Sequence, residues 1–551
     1  MRTIAIGILG VLFASSIVGN AQQPATPTFR AGTTLVDFTI VAVDQRGNPV
    51  ADLRKDEISI LEDESSRQVA FFQFEGKPIS ASGAVAGDSK PLPPAFTNRT
   101  EYAPNAPRHL IAIVVDLINT SIAGQVQLQT ELLYYLKQLP PDARVGLYMI
   151  SEQAVAIHDY THDVESLRAR LEKGDITVNA RGFASTRDTQ AMVTAARPEQ
   201  QSSLIAMLEA QKRSEGDLNM QIAKIRRRLT MAALDSVGHH LAGVPGRKSI
   251  VWVSHGFPLT DGYGTYTNEV NDTSRRLATQ NVAVYPFQAG GVGGARLHSG
   301  GLGLGEQGLY SPRGQKVSSN SLHTTMSNLG DAQVRGRVEG TGEVIAALTG
   351  GRVIRNNNDP AEGLNAASAD LRGTYSVGFY AVNNPDNQWH QLRVRVSRRG
   401  VTIRHRQGYL AASTAVNQTR DWPEERWNDI AFRPLISTAV RLDALATLTA
   451  GTLKVALKVA SDDLHFRETD TQLVADVDIA VVENTAAEPT NVRVQSASID
   501  LPAAPTLPAT VPVASEFTLN PKTVSVRVIV RDKSTGRYGS VDVPLAQLPV
   551  Q

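Results

Sequence analysis

The chain contains no cysteine among its 551 residues. Thiol catalysis, zinc sites built on thiolates and lipid attachment through an N-terminal cysteine are therefore excluded, and disulfides cannot stabilise the fold. A charge of one sign is also missing, because 55 lysines and arginines balance 54 acidic residues and the net charge is +1. No overall field attracts nucleic acid or an anionic membrane. Since one core organises roughly 250 to 300 residues at most, we expect several domains.

Long apolar runs are missing after the N-terminus. The N-terminus itself combines Arg2, an apolar run from Ile4 to Val18 and small residues up to Ala21. This pattern predicts a secretory signal peptide over residues 1–21, because the run is shorter than the ~20 residues of a membrane span. We therefore expect an exported protein, periplasmic or extracellular, with no transmembrane span in the mature chain.

The two ends of the remaining chain have the patterns of β-structure. Residues 30–76 alternate apolar and polar side chains around turns, which predicts a small β module. Residues 77–107 are rich in proline, glycine, alanine and serine and lack periodicity, which predicts a linker. Residues 425–551 contain alternating segments with proline-rich connections, which predicts a β-sandwich of antiparallel strands.

The segment between them alternates strands with helices. Continuous apolar runs, "LIAIVVD" (110–116) and "KSIVWVS" (248–254), predict parallel strands that are covered on both faces. The periodicity from Ile225 to Leu241 predicts a long helix. The predicted fold class is therefore multidomain α/β plus all-β, with a doubly wound, mostly parallel sheet in residues 108–411.

Several further features belong to residues 108–411. Polar insertions are expected at 173–217 and 289–340. The segment "GTYSVGFYA" (373–381) is expected to close the parallel sheet, and alternation on both sides of Arg399-Gly400 predicts a terminal β-hairpin.

The long predicted helix carries a basic cluster, "KIRRR" (224–228). A solvated helix face is the favoured interpretation, and contact with an anionic partner is the alternative. No G-x-S-x-G motif occurs in the chain, and no set of serine, histidine and aspartate can be assembled from spacing alone. We therefore expect a protein without catalytic activity.

The carboxyl end of the first parallel strand has the strongest pattern for function. An apolar strand that ends in Asp116, followed by hydroxyl residues and an amphipathic helix, resembles a von Willebrand factor A domain. The order of three segments is similar to that of the bacterial secreted proteins called VWFA-related: "FRAGTTLVDFTIVAVDQRGNPV" (29–50), "RKSIVWVSHGFP" (247–258) and "RRGVTIRHRQGYLA" (398–411). The resemblance implies the doubly wound sheet, with ligands beyond the carboxyl ends of its strands.

The resemblance also implies a metal-ion-dependent adhesion site, in which a divalent cation bound by oxygen ligands recruits a carboxylate of a partner. Asp116 matches the first aspartate of that site and Thr120 matches its second hydroxyl. Ile118 stands where the family has a serine, and Ser254-His255 stand where it has an aspartate. The implied site is therefore degraded. The residues that would hold Mg²⁺ or Ca²⁺ are Asp116, Asn119, Thr120 and Ser121.

We expect the same edge of the sheet to contact another protein or an envelope component, but no nucleic acid. The expected partner-binding residues are Asp116, Asn119, Thr120, Ser121, Ser254 and His255. Three alternatives stay open. The residues after Asp116 can instead close the loop by side-chain hydrogen bonds without a metal. The protein can be an ion-independent envelope scaffold, or a hydrolase that uses His255 beside Ser254.

Overall fold

The structure is a computed structural model of the chain. The residues that it describes are 33–75, 95–100, 110–120, 132–133, 136, 144–151, 154–161, 169, 221, 224–254, 257, 268–288, 341–354, 361–382, 388–411, 421–469, 472–485, 489–502 and 507–548. The predicted signal peptide and both predicted insertions lie outside these residues. Within them, no helix has the length and apolar character needed to cross a membrane.

The described residues form strands, helices and short 3-10 turns. The strands are β1 (Thr33–Asp44), β2 (Ile58–Glu62), β3 (Ser65–Arg67), β4 (Val69–Phe74), β5 (Ala95–Thr97), β6 (Leu110–Asp116), β7 (Val145–Ile150), β8 (Ala154–Thr161), β9 (Lys248–Ser254), β10 (Val282–Gln288), β11 (Thr374–Val382), β12 (Trp389–Val396), β13 (Val401–His405), β14 (Gly408–Leu410), β15 (Leu442–Thr449), β16 (Thr452–Ala460), β17 (Arg467–Glu468), β18 (Gln472–Asn484), β19 (Pro489–Pro502), β20 (Thr510–Thr518), β21 (Ser525–Asp532) and β22 (Tyr538–Pro544). The helices are α1 (224–241), α2 (Asn268–Thr279), α3 (Thr341–Thr349), α4 (Ala361–Arg372) and α5 (Glu424–Ala431). The 3-10 turns are Lys55–Glu57, Ser461–Asp463 and Leu545–Gln547.

The first sandwich is built from two separate stretches of the chain. One of its sheets has the strand order β13-β1-β11-β4, and the other has the order β14-β12-β2-β3. β1 pairs antiparallel with β11 over nine positions. Alternate residues of these two strands, including Phe38, Val377 and Phe379, are buried between the sheets. Apolar alternation in both stretches therefore contributes to one shared core.

Two predictions for the region after residue 372 are wrong. The segment 373–381 does not close the parallel sheet, because β11 pairs with β1 and β4. The strands on either side of Arg399-Gly400 do not form a paired hairpin, because β12 pairs with β2 and β14 whereas β13 pairs with β1. Alternation identifies the buried face of a strand but not its neighbour. The α/β unit is thus inserted between β4 and β11 of one sandwich.

The central sheet has the strand order β10-β9-β6-β7-β8. The first four of these strands run parallel, and β8 is an antiparallel edge strand. Beyond β10, Ile354 makes an isolated parallel bridge to Phe287. Every residue of β6 and β9 is buried, as expected of strands covered on both faces. The sheet therefore agrees with the mostly parallel α/β sheet that the sequence predicts.

Helices supply the cover on each face of the central sheet. On one face, Ala367 and Leu371 of α4 pack in the same cluster as alternate residues of β6 and β9. On the other face lie residues of α1, α2 and α3 together with Trp252 of β9. Helix α1 ends within two residues of Gly243, as the apolar periodicity predicts.

The second sandwich has one sheet in the order β20-β16-β15-β5 and another in the order β17-β18-β21-β22, with β19 paired to β18. β5 lies within the predicted linker 77–107 and pairs antiparallel with β15. The prediction of a linker is therefore wrong for residues 95–97, because three residues are too few to show a period. Helix α5 covers the outer face of the second sheet, where Trp427 and Ile430 pack against Ile529.

Both sandwiches contact the amino edge of the central sheet, where β9 and β10 begin. Arg247, directly before β9, donates hydrogen bonds to the Thr39 hydroxyl of the first sandwich (3.2 Å) and to the Gly350 carbonyl (2.7 Å). The Thr438 hydroxyl, in the segment that leads into the second sandwich, accepts a hydrogen bond from the Gly243 amide (2.7 Å) and donates to the His240 carbonyl (2.8 Å). These contacts fasten the end of the sheet opposite to Asp116.

Candidate site at the carboxyl edge of the central sheet

Asp116 is the last residue of β6, which lies between β7 and β9. The chain leaves β6 toward β7 on one side, and β9 lies on the other side, so the strand order reverses at β6. In open α/β sheets the crevice for a ligand forms at such a reversal, outside the carboxyl ends of the strands. Ser254 is the last residue of the neighbouring β9. The structure therefore places both predicted residues at the edge where ligands bind in this class of sheet.

The Asp116 carboxylate is fully buried and accepts hydrogen bonds at both oxygens. The Asn119 backbone amide donates to Oδ1 (3.1 Å), and the Asn119 side-chain amide donates to Oδ2 (2.7 Å). The indole N–H of Trp252 also donates to Oδ2 (3.1 Å). Uncharged N–H groups therefore donate hydrogen bonds to both oxygens of the carboxylate.

Burial raises the pKa of Asp116 from 3.8 to about 6, while the hydrogen bonds from Asn119 and Trp252 lower it. Removal from water penalises the charged form of a carboxyl group, and donors that point at its oxygens favour that form. The burial effect is the larger one here. Because a pKa of about 6 still lies below neutral pH, the ionised form of Asp116 predominates at pH 7, and the N–H groups around it stabilise that form.

The loop after β6 is closed by its own side chains. The Thr120 hydroxyl donates to the backbone carbonyl of Asp116 (2.6 Å), and the Asn119 side-chain amide also contacts the Thr230 hydroxyl of α1 (2.9 Å). Ile118 packs at the margin of the cluster that contains Trp252. This arrangement corresponds to the alternative in which polar residues close the loop by hydrogen bonds.

The described residues of this loop do not fit a hard cation in the observed arrangement. Mg²⁺ and Ca²⁺ bind oxygen ligands, but N–H groups occupy the Asp116 oxygens and the Thr120 hydroxyl is turned to the backbone. Nowhere among the described residues do three or more side chains of histidine, aspartate or glutamate form a group able to hold a metal ion. Ser121 lies outside the described residues.

The predicted partner-binding residues divide into two groups. Four of them have buried side chains, so that in this arrangement they present little surface to a partner: Asp116, Asn119, Thr120 and Ser254. The other two, Ser121 and His255, lie outside the described residues. A contact between these six residues and a partner stays a prediction.

Two contacts of the site were not predicted from the sequence. Trp252 and Thr230 are 136 residues from Asp116 and 111 residues from Asn119, respectively. A tryptophan in a continuous apolar strand is a usable signal, because a buried indole N–H needs an acceptor. The nearest acidic residue at the same edge of the sheet is the acceptor to expect. Thr230 carries no such signal, since a threonine in a helix commonly bonds to its own backbone.

No family model matches the chain, and no curated protein matches it. Several solved structures are similar to part of it. An aerotolerance-related membrane protein from Bacteroides fragilis NCTC 9343 is 10% identical, with 48% of this chain and 98% of that chain covered and a TM-score of 0.22. The SpRpn10 VWA domain is 12% identical, with 42% and 98% covered and a TM-score of 0.18.

Proximal thread matrix protein 1 from the mussel byssus, in a structure with a zinc-occupied MIDAS motif, is 9% identical. The match covers 50% of this chain and 48% of that chain, with a TM-score of 0.21. TM-scores this low do not establish a shared fold. The resemblance to von Willebrand factor A domains therefore stays an inference from the sequence around Asp116.

Proposed function

We propose that the chain is a non-catalytic, exported protein that binds another protein at the carboxyl edge of its central sheet, without a cation at Asp116. The observation that carries this proposal is the set of N–H donors on Asp116. They occupy the carboxylate at the position where doubly wound sheets bind ligands. A metal-dependent adhesion site needs those oxygens for its ion, so the ion-independent mode is the one that the geometry supports.

The placement of the sandwiches supports binding at this edge. Hydrogen bonds join them to the amino edge, at Arg247 and Gly243, and an ion pair from Arg433 reaches the side of α1 at Asp235. Lys248 and Ser254 bound β9, and at the rise of a parallel strand they lie about 20 Å apart. The carboxyl edge is therefore at the end of the sheet away from the hydrogen bonds at Arg247 and Gly243, which favours its presentation to a partner.

The burial of Ser254, the one described member of the predicted Ser254–His255 pair, supports a role without catalysis. The Ser254 side chain is fully buried, so its hydroxyl is not available to attack an external substrate. This argues against the hydrolase that uses Ser254 and His255. Export is proposed from the N-terminal pattern of Arg2 and the apolar run up to Val18.

Site-specific photo-crosslinking tests the binding edge. A photoreactive amino acid would replace Ile225 on α1, which is 58% exposed, or Val524 of the second sandwich, which is 50% exposed and serves as the matched control. The full chain would be irradiated with envelope extract in EDTA and again in Mg²⁺. We expect a defined adduct from position 225 in both buffers and none from position 524. An adduct that needs Mg²⁺, or one of equal yield at position 524, would contradict the proposal.

A further inference from the structure

The described N-terminal part of α1 presents an exposed face. Gln221, Lys224, Ile225 and Arg228 are all exposed, and Ile225 is the most exposed large apolar side chain among the described residues. Their spacing of three, four and seven residues places them on one side of a helix. We call these four residues the basic face of α1.

The basic face lies at the carboxyl edge of the central sheet. Thr230 of α1 contacts Asn119 in the loop after β6. Residues 224–228 precede Thr230 along the helix and lie about 3 to 9 Å farther out at 1.5 Å per residue. The other end of α1 leads through Gly243 to the amino end of β9. The N-terminal part of the helix, with its basic face, therefore lies at the carboxyl edge of the sheet.

The two basic side chains of this face are exposed, whereas the neighbouring Arg227 is buried. Arg227 is buried and lies 3.7 Å from a carboxylate oxygen of Glu269. Lys224 and Arg228 are exposed, and neither makes an ion pair with another residue that the structure describes. Beneath them, Asp116 is buried and bonded to N–H groups. The basic face therefore presents positive charge around an apolar centre.

We infer that the basic face of α1 docks an acidic segment of a partner protein, with Lys224 and Arg228 binding carboxylates on either side of an apolar contact at Ile225. The inference depends on the proposed function and gives the partner its chemistry. In this arrangement the two side chains supply the positive charge that a bound cation supplies in a metal-dependent adhesion site. Charge complementarity of this kind steers association and fixes the register of the partner.

The dimensions of the face favour an acidic protein segment over a long polyanion. From Gln221 to Arg228 the helix rises about 10 Å, which is too short to follow an extended phosphate or sulfate backbone. The exposed isoleucine at its centre matches an apolar side chain, and the net charge of +1 provides no wider positive field. An acidic segment with an apolar residue between its carboxylates complements all three features.

Fluorescence anisotropy on the full chain tests the inference. The probe is a labelled twelve-residue peptide of alternating glutamate and leucine, titrated at low salt in EDTA, with heparin as a competing polyanion. We expect saturable binding that weakens at least about tenfold in K224E/R228E. Binding should weaken about threefold in I225S, since one apolar contact is lost. The matched control is R395E/K458E, which makes the same charge change at exposed positions on the two sandwiches.

The possible outcomes separate the inference from the proposed function. Equal loss in K224E/R228E and R395E/K458E, no saturable binding, or heparin binding that is tighter and equally sensitive to K224E/R228E would each overturn the inference. A crosslinked adduct at position 225 combined with any of these results would leave the proposed binding edge standing. Failure of both experiments would overturn both proposals.

Discussion

The two edges of the central sheet hold buried charges of opposite sign by similar means. At the carboxyl edge, Asp116 accepts hydrogen bonds from amide and indole N–H groups. At the amino edge, Arg247 donates to hydroxyl and carbonyl oxygens, Lys248 donates to the Val244 carbonyl (3.0 Å), and Arg406 donates to the Ala278 carbonyl (2.8 Å). None of these four charged side chains forms an ion pair with another described residue.

The edges differ in where their partners come from. The donors to Asp116 belong to the α/β unit itself, at Asn119 and Trp252. At the amino edge, Arg247 reaches Thr39 of the first sandwich, and Arg406 of that sandwich reaches back to Ala278 of α2. A buried polar group is costly unless its hydrogen bonds are made. The hydrogen bonds of the amino edge are therefore complete only when the first sandwich and the α/β unit are assembled, whereas those of Asp116 are complete within one unit.

The largest expected effect is at the amino edge. Arg247→Leu removes hydrogen bonds to Thr39, Tyr285 and Gly350 from a buried junction. We expect the free energy of unfolding to fall by about 4 kcal/mol, since bonds from a charged donor are lost and buried acceptors stay unpaired. Urea denaturation followed by tryptophan fluorescence measures this. Arg395→Leu, an exposed control, should change stability by less than about 0.5 kcal/mol. Similar results for both variants would show that the junction does not depend on Arg247.

The second largest loss in the free energy of unfolding is expected at the carboxyl edge. Asp116→Ala leaves the Trp252 indole and the Asn119 amide without their acceptor, and we expect a loss of about 3 kcal/mol. Because the α/β unit supplies all of these bonds, the loss should be the same in a chain that also carries Arg247→Leu, as for independent sites. The exposed Asp462→Ala serves as the control. Strong coupling between the two edges would contradict the comparison.

We expect the Asp116 carboxyl group to make the stability of the fold depend on pH. Burial raises the pKa of Asp116 to about 6, above its ordinary value of 3.8. The folded state therefore binds the proton more tightly, and the stability that this group contributes is present below about pH 4 and lost as the pH rises through about 6. Denaturation curves from pH 4 to pH 7 should show a flatter profile for Asp116→Asn than for the unmodified chain. Parallel profiles would argue against a raised pKa.

At Lys248 we expect a pH dependence of opposite sign, in which stability rises with pH. Burial lowers the pKa of Lys248 from 10.5 to about 7, so stability should rise with pH between these two values, where the unfolded state binds more protons. Lys248→Met replaces the buried amine by an apolar side chain of similar length and should stabilise the fold by about 2 kcal/mol near pH 7. The gain should shrink toward pH 10. A gain that is independent of pH would point to packing instead of charge.

The smallest effect tests the loop after β6. Thr120→Val keeps the shape of the side chain and removes its hydrogen bond to the Asp116 carbonyl. We expect a loss of about 1 kcal/mol in the free energy of unfolding. Thr510→Val, in a strand of the second sandwich, provides a matched substitution. A loss near zero would mean that water or another group replaces the bond, and that the loop does not depend on its own side chains.

The elements of the central sheet could be predicted because their signals are local. The continuous apolar runs at 110–116 and 248–254 have the bounds of β6 and β9. A strand that is covered on both faces is apolar along most of its length, so its own sequence reveals it. The position of Asp116 at the carboxyl end of β6 follows from the same run. The full set of its hydrogen bonds does not, because one of its donors, the Trp252 indole, is 136 residues away in the chain.

The partners of the alternating strands could not be predicted. β1 and β11 pair although the whole α/β unit separates them in the chain. β12 and β13 are separated by only four residues, yet β12 pairs with β2 and β13 pairs with β1. Arg398, one of these four residues, instead forms ion pairs with Asp52 and Glu57 of the first stretch (2.6 and 2.7 Å). An alternating strand fits any neighbour that offers a complementary apolar face.

By itself the sequence determined where the strongly patterned strands and helices form, which faces they bury, and that an acidic side chain ends the first parallel strand. Those properties depend on the period of apolar residues and on side chains near one another in the chain. Only the tertiary structure decided that two distant stretches share one sandwich, that Trp252 donates to Asp116, and that Thr230 contacts Asn119. Contacts across more than 100 residues depend on three-dimensional packing, which no local pattern encodes.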